Sequence, residues 1–211
     1  MGGFAGLEKE LWHCNRCPFD VSADVRICGG TGTDNRVMFI AESPSTSGGT
    51  GIKKASDNFQ TTSADLLFEE VRKKYGFGNC YLTDFVKCGK ANGKPTIGNV
   101  QNCLSYLKRE LELVQPKAIV AVGKSISVQV SPIKRKSYDF AAFIRENLTT
   151  DIPIFSTYHY SYVWRWKKIK GWDKGTNKLE LIKPEFREKY EAQHKKVVKV
   201  VGNQLKNYCC T

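Results

Sequence analysis

Four short strand-like runs separated by segments of helical periodicity constrain this chain most. The runs are Val37 to Ala41, Cys80 to Phe85, Ala118 to Val122 and Ile152 to Thr157. The first and third are continuously apolar, as strands buried on both faces must be. Between them, Ser63 caps a predicted helix with Leu66, Leu67 and Val71 on its inner face, and residues 99 to 114 place Val100, Cys103, Leu104, Leu107, Leu111 and Val114 at three- and four-residue steps. Strand and helix alternate, which predicts an α/β fold: a three-layer α/β/α sandwich around a four-stranded, mainly parallel sheet. Functional residues of such sheets lie just past the carboxyl ends of the strands. Here those positions are Glu42, Asp84 with Lys87, Gly123 (followed by an expected helix start) and His159.

Outside these units, Phe4, Leu7 and Leu11 space a short N-terminal helix that ends in Cys14-Asn15-Arg16-Cys17. A polar loop is expected from Thr46 to Asn58, and Pro184 to Leu205 reads as a lysine-studded amphipathic helix. A length of 211 residues with 41% hydrophobic content suits one domain spanning 1–211 with a core of its own. The net charge of +12, from 33 basic and 21 acidic residues, favours a polyanionic partner, nucleic acid before membrane. No run reaches the ~20 apolar residues of a membrane span and the N-terminus lacks a signal-peptide layout, so a soluble, cytoplasmic, nucleoid-associated monomer is expected.

Eight cysteines in a chain of this length point to metal binding before disulfides. Cys28 and Cys80 read as small buried hydrophobes. Four thiolates suit an iron–sulfur cluster or a structural zinc, and the residues alone leave both open.

With these pieces in order, the chain resembles the iron–sulfur (family 4) uracil-DNA glycosylases from Cys14 to about Trp166. The resemblance rests on Cys14-x-x-Cys17 with Cys88 and Cys103, and on Ala41-Glu42-Ser43-Pro44-Ser45, similar to the family's Gly-Glu-Ala-Pro-Gly loop. It continues through Phe59 and Tyr81 to Cys88, and ends at His159-Tyr160-Ser161, similar to the His-Pro-Ser motif. It implies a 4Fe–4S cluster on Cys14, Cys17, Cys88 and Cys103, and base-excision chemistry on single- or double-stranded DNA.

Cutting an N-glycosidic bond requires a base flipped out of the stack into a reading pocket. Phe59 is the expected stacking face, with Ser43 and Asp84 beside the base. Negative charge grows on the leaving base and positive charge on the sugar, so His159 is expected to donate to the base and Glu42 to orient water and face the sugar. Tyr160, Ser161, Tyr162, Arg165 and Lys167, aromatics interleaved with cations, are expected to grip DNA. Two departures stand out. Asp84 occupies the place of the family's uracil-reading asparagine, and an ionised carboxylate only accepts hydrogen bonds where an amide also donates, which suits an amino-bearing base. Tyr160 replaces the proline after the histidine. Alternatives to the enzyme are a non-catalytic iron–sulfur nucleic-acid-binding relative and a zinc-stabilised interaction domain.

Overall fold

The computed structural model describes residues 3–46, 49–59, 63–91, 93–131, 133–157 and 159, the side chains of 63–67 excepted, and residues 188, 191 and 192. Apart from Glu188, Glu191 and Ala192, the expected C-terminal helix, together with Tyr160, Ser161, Tyr162, Arg165 and Lys167, therefore falls outside the described residues.

The chain runs α1 (Phe4–Trp12), β1 (Val25–Cys28), β2 (Asp34–Ala41), β3 (Gly51–Lys54), α2 (Ala55–Asn58), α3 (Ser63–Lys74), β4 (Cys80–Asp84) and β5 (Cys88–Gly89). It continues through α4 (Ile97–Val114), β6 (Ala118–Val122), β7 (Ser125–Ser131), β8 (Lys134–Asp139), α5 (Phe140–Leu148) and β9 (Ile154–Thr157). The four predicted runs form one sheet in the order β4-β2-β6-β9, with every pair parallel.

Pleat alternation divides the core into two layers. Val37, Phe39 and Ala41 pack with Leu82, Val120, Val122 and the α3 residues Phe68 and Val71. Met38 and Ile40 face the opposite way, against Ile119 and Ala121, the α4 residues Val100 and Leu107, and Phe140, Phe143 and Ile144 of α5. Buried Leu, Ile and Phe side chains of this kind each contribute about 1.5–3 kcal/mol of transfer free energy, so both layers are needed to hold the sheet. The α/β/α sandwich is thus as the sequence predicts. No helix among the described residues is long and apolar enough to cross a membrane.

The longest helix has well-defined ends. Thr96 and Asn99 form a reciprocal capping box at the start of α4, and Gln115 adopts the left-handed conformation at its end, just before Pro116. Cys103 consequently sits on the buried face, as its spacing predicts.

Two expectations are corrected. No helix starts after Gly123; β7 and β8 pair there as an antiparallel hairpin, and α5 begins only at Phe140 under an Asp139 cap. The reason is legible in Ser125-Ile126-Ser127-Val128-Gln129-Val130-Ser131, a strict polar/apolar alternation that buries Ile126 and Val128. The loop from Thr46 to Asn58 likewise contains β3 and α2. Residues 51–54 are recruited as the parallel partner of β1, whose other edge takes β5 antiparallel, making a second sheet in the order β3-β1-β5.

Candidate active site and cysteine cavity

Because the main sheet is parallel, its four carboxyl ends lie along one edge. Glu42 follows β2, Asp84 ends β4, Gly123 follows β6, and His159 stands two residues past β9. Chain order reverses between β2 and β6, so Glu42 and Gly123 flank the switch point where crevices open in such sheets. β2 and β9 are two strand spacings apart, roughly 10 Å, with the end of β6 between them.

Local bonds fix each position. The Phe85 and Val86 amides donate to the carbonyls of Ala41 (2.7 Å) and Glu42 (3.1 Å), locking the loop after β2 onto the end of β4. The Gly123 amide donates to the Thr157 carbonyl at 3.0 Å, and a Cβ on Gly123 would stand 3.7 Å from that of His159. His159 thus lies over Gly123, a position that a bulky residue at 123 would crowd.

Glu42 is largely buried and accepts from Lys94 Nζ at 3.1 Å. Asp84 is fully buried. Phe59 is 3% exposed and packs among Phe39, Phe68 and Leu82, so the structure places it as a core aromatic. Ser43 is half-buried beside Glu42.

Behind Asp84 lies a buried polar network. Lys87 Nζ donates to Thr83 Oγ1 (2.7 Å), to the Asp84 carbonyl (2.6 Å) and to Glu110 Oε2 (2.5 Å). Glu110 is fully buried and also accepts from Thr83 Oγ1 and the Tyr81 hydroxyl, which in turn accepts from the Gly30 amide. Burial pushes the Glu110 carboxyl up from its ordinary pKa, and the Lys87 ammonium and the two hydroxyls oppose that rise. Sequence reasoning missed Glu110. Its signal is that it stands seven residues after Cys103 and three after Leu107, inside the apolar stripe of α4.

On the other side of Lys87 is a small cavity bordered by all four predicted ligands, Cys14, Cys17, Cys88 and Cys103. The N-terminal turn brings the first two, β5 the third and α4 the fourth. Each sulfur faces a hydrogen-bonding partner. Asn99 and Asn102 donate to Cys17 Sγ (3.2 and 3.3 Å), Arg26 Nε to Cys88 Sγ (3.4 Å), and the Lys87 amide to Cys103 Sγ (3.4 Å). The Tyr106 hydroxyl bonds Cys14. Burial pushes the Cys103 thiol up to about 12 and raises that of Cys88 as well.

Donors aimed at sulfur, with Arg16 and Arg26 also lining the cavity, suit thiolates better than neutral thiols. Lys90 braces the rim by donating to the Pro18 carbonyl and to Asp24, pinning the Cys17 turn to the end of β5. Among the described residues, no group of three or more His, Cys, Asp or Glu side chains is gathered to hold a metal ion.

A family model described as the Uracil DNA glycosylase superfamily matches residues 29–183. The chain belongs to this superfamily. The match includes Glu42, Asp84, Cys88, Cys103 and His159 and begins after Cys14 and Cys17. Among curated proteins, the chain is similar to a type-4 uracil-DNA glycosylase of Archaeoglobus fulgidus, 23% identical over 97% of this chain and 96% of that one. A type-5 uracil-DNA glycosylase of Pyrobaculum aerophilum is 34% identical over 42% of this chain and 45% of its own length. A type-4 enzyme of Sulfurisphaera tokodaii is 22% identical over 75% and 74%.

Proposed function

We propose that this superfamily member is a monofunctional DNA glycosylase that hydrolyses the N-glycosidic bond of a flipped, altered base. The observation that carries the reading is the placement of Glu42 and His159 on one sheet edge, on either side of the switch point. Water oriented by Glu42 attacks the sugar C1′ as the carbon–nitrogen bond breaks, and its proton passes to the Glu42 carboxylate and finally to the released base. The electron pair leaves with the base, and His159 donates a hydrogen bond to the charge growing there. No lysine amine is required as nucleophile, so no covalent enzyme–sugar intermediate forms. The stacking role assigned to Phe59 requires the base to enter beside its buried ring, and Ser43 lines the loop next to Glu42.

Asp84 sets the specificity. Held at the end of β4, it accepts from a donor on the base, so an amino-bearing base is preferred over uracil. Cys14, Cys17, Cys88 and Cys103 hold a 4Fe–4S cluster. Asn99, Asn102, Arg26 and the Lys87 amide, directed at sulfurs around one cavity, support thiolate ligands, and the resemblance, in which these four cysteines stand at the cluster-ligand positions, favours a cluster over zinc. The cluster supplies a covalent cross-link between the N-terminal turn, β5 and α4.

The test is release of free base from oligonucleotides carrying uracil, cytosine or modified amino-bearing bases. Wild-type protein is expected to release an amino-bearing base faster than uracil, Glu42→Gln and His159→Ala to lose about 10²–10³-fold in rate, and Asp84→Asn to gain uracil release. Efficient uracil release that Asp84→Ala leaves undiminished contradicts the specificity, and no release of any base contradicts the activity.

A further inference from the structure

The hairpin of β7 and β8 is absorbed by none of the chemistry above. Its root lies at the active edge. It leaves β6 at Gly123, against which His159 packs, and returns through Phe140, whose amide donates to the Lys124 carbonyl at 3.1 Å. Its first strand is held beside the site a second time. Gln129 donates from its amide to the Pro95 carbonyl at 2.9 Å and bridges Thr96, next to the Lys94 that pairs with Glu42. One face is anchored in the core by Ile126, Val128 and the half-buried Tyr138, which packs on Phe143 at 5.2 Å.

The outer strand is different. Lys134, Arg135, Lys136 and Ser137 are all exposed, and none of the three cations makes an ion pair with a carboxylate among the described residues. Lys136 Nζ lies 4.8 Å from the centre of the Tyr138 ring, which props its side chain upright. Immediately ahead of these cations, near the tip, Ile133 is 99% exposed, an apolar side chain next to Lys134.

We infer that this hairpin is a DNA-gripping arm: Lys134, Arg135 and Lys136 bind the phosphates of duplex DNA beside the nucleotide presented to the Glu42–His159 edge, and Ile133 wedges against the neighbouring base step. The chemistry matches on two counts. Pleat alternation puts Lys134 and Lys136 on one face of β8 and Arg135 on the other, a pattern that reaches the phosphates on both walls of a groove, and an apolar side chain beside cations is the pairing by which proteins hold a kinked duplex. The arm is rigid where it meets the site and bare where it meets solvent, so phosphate contacts there fix the register of the duplex relative to the crevice. This inference rests on the glycosylase reading for its substrate, and it is separable from it by experiment.

The test measures binding of a fluorescently labelled duplex across a range of salt concentrations, together with base release from the same sequence in duplex and single-stranded form. Each cation that neutralises a phosphate contributes about 0.9 to the slope of log affinity against log salt. The Lys134→Ala/Arg135→Ala/Lys136→Ala variant is therefore expected to lower that slope by about 2–3 and to weaken binding tenfold or more at moderate salt, with an unchanged melting temperature. Arg135→Lys is expected to keep the slope. Ile133→Ser is expected to slow release from the duplex several-fold and leave release from the single strand as it was. A wild-type slope in the triple variant, with wild-type protein still releasing base, overturns the arm and leaves the glycosylase standing. A reduced slope in a protein that releases no base retains the arm and removes the glycosylase. Failure of the wild-type protein to bind duplex DNA overturns the arm, and release of base from the single strand then decides the glycosylase.

Discussion

A Cβ on Gly89 would stand 1.9 Å from the Pro44 carbonyl oxygen, closer than any real contact, and the obstacle is backbone that cannot swing aside. Gly89 therefore records how tightly β5, which carries Cys88, presses on the loop that carries Glu42. Gly89→Ala is expected to push that loop outward by about an ångström and to cost roughly 10²-fold in rate, a larger proportional loss than its effect on the melting temperature implies. Base-release kinetics set beside thermal unfolding check this; an unaltered rate would mean that the loop position is irrelevant to chemistry. Asp84 and Glu42 differ instructively at the same scale. Their positions at strand ends were legible from the apolar runs before them, because a buried strand must stop where polar side chains begin. The Lys94 contact to Glu42 was not, since it joins residues 52 apart through a loop without pattern.

At the scale of elements, the Lys87–Glu110 pair ties β4 to α4. Both side chains are excluded from water, at 1% and 0% exposure, so their separation of 2.5 Å must offset the desolvation of two charges. Lys87→Met leaves the Glu110 carboxyl buried without its cation and is expected to cost about 3–5 kcal/mol in chemical denaturation. Lys87→Met/Glu110→Leu is expected to recover a large part of that, because two apolar groups replace two charges. If the double variant were less stable than the single one, Glu110 would be sustained by its hydroxyl partners rather than by Lys87.

The parallel sheet and α4 were readable because their patterns are strong: two continuous apolar runs, and six apolar residues at helical steps. The hairpin differs from the expected helix start because Ser125 to Ser131 alternates strictly, a period of two that a glycine after a buried strand does not reveal. Sheet β3-β1-β5 was unreadable for another reason. Its strands are two to four residues long, and pairing across the chain, not composition, makes them strands.

For the whole molecule, the N-terminal segment is fastened almost entirely around the thiol cavity. Leu7 and Leu11 pack with Cys28 and Tyr106, Arg16 donates to Ser105 Oγ at 2.6 Å and lies 4.2 Å from the centre of the Tyr106 ring, and Glu10 pairs with Arg109. The Tyr106, Ser105 and Arg109 links join the segment carrying Cys14 and Cys17 to the helix carrying Cys103, so the cavity is the point where the start of the chain, the second sheet and α4 meet. Surface ion pairs of this kind contribute less than about 1 kcal/mol each, which leaves the four thiols as the strongest available tie. The measurement that tests the account most directly is the iron, acid-labile sulfide and zinc content of the purified full chain, read with its visible absorbance. A brown protein with roughly four irons and four sulfides per chain is expected, with both lost in Cys103→Ser. A colourless protein carrying one zinc per chain, or no metal at all, would contradict it.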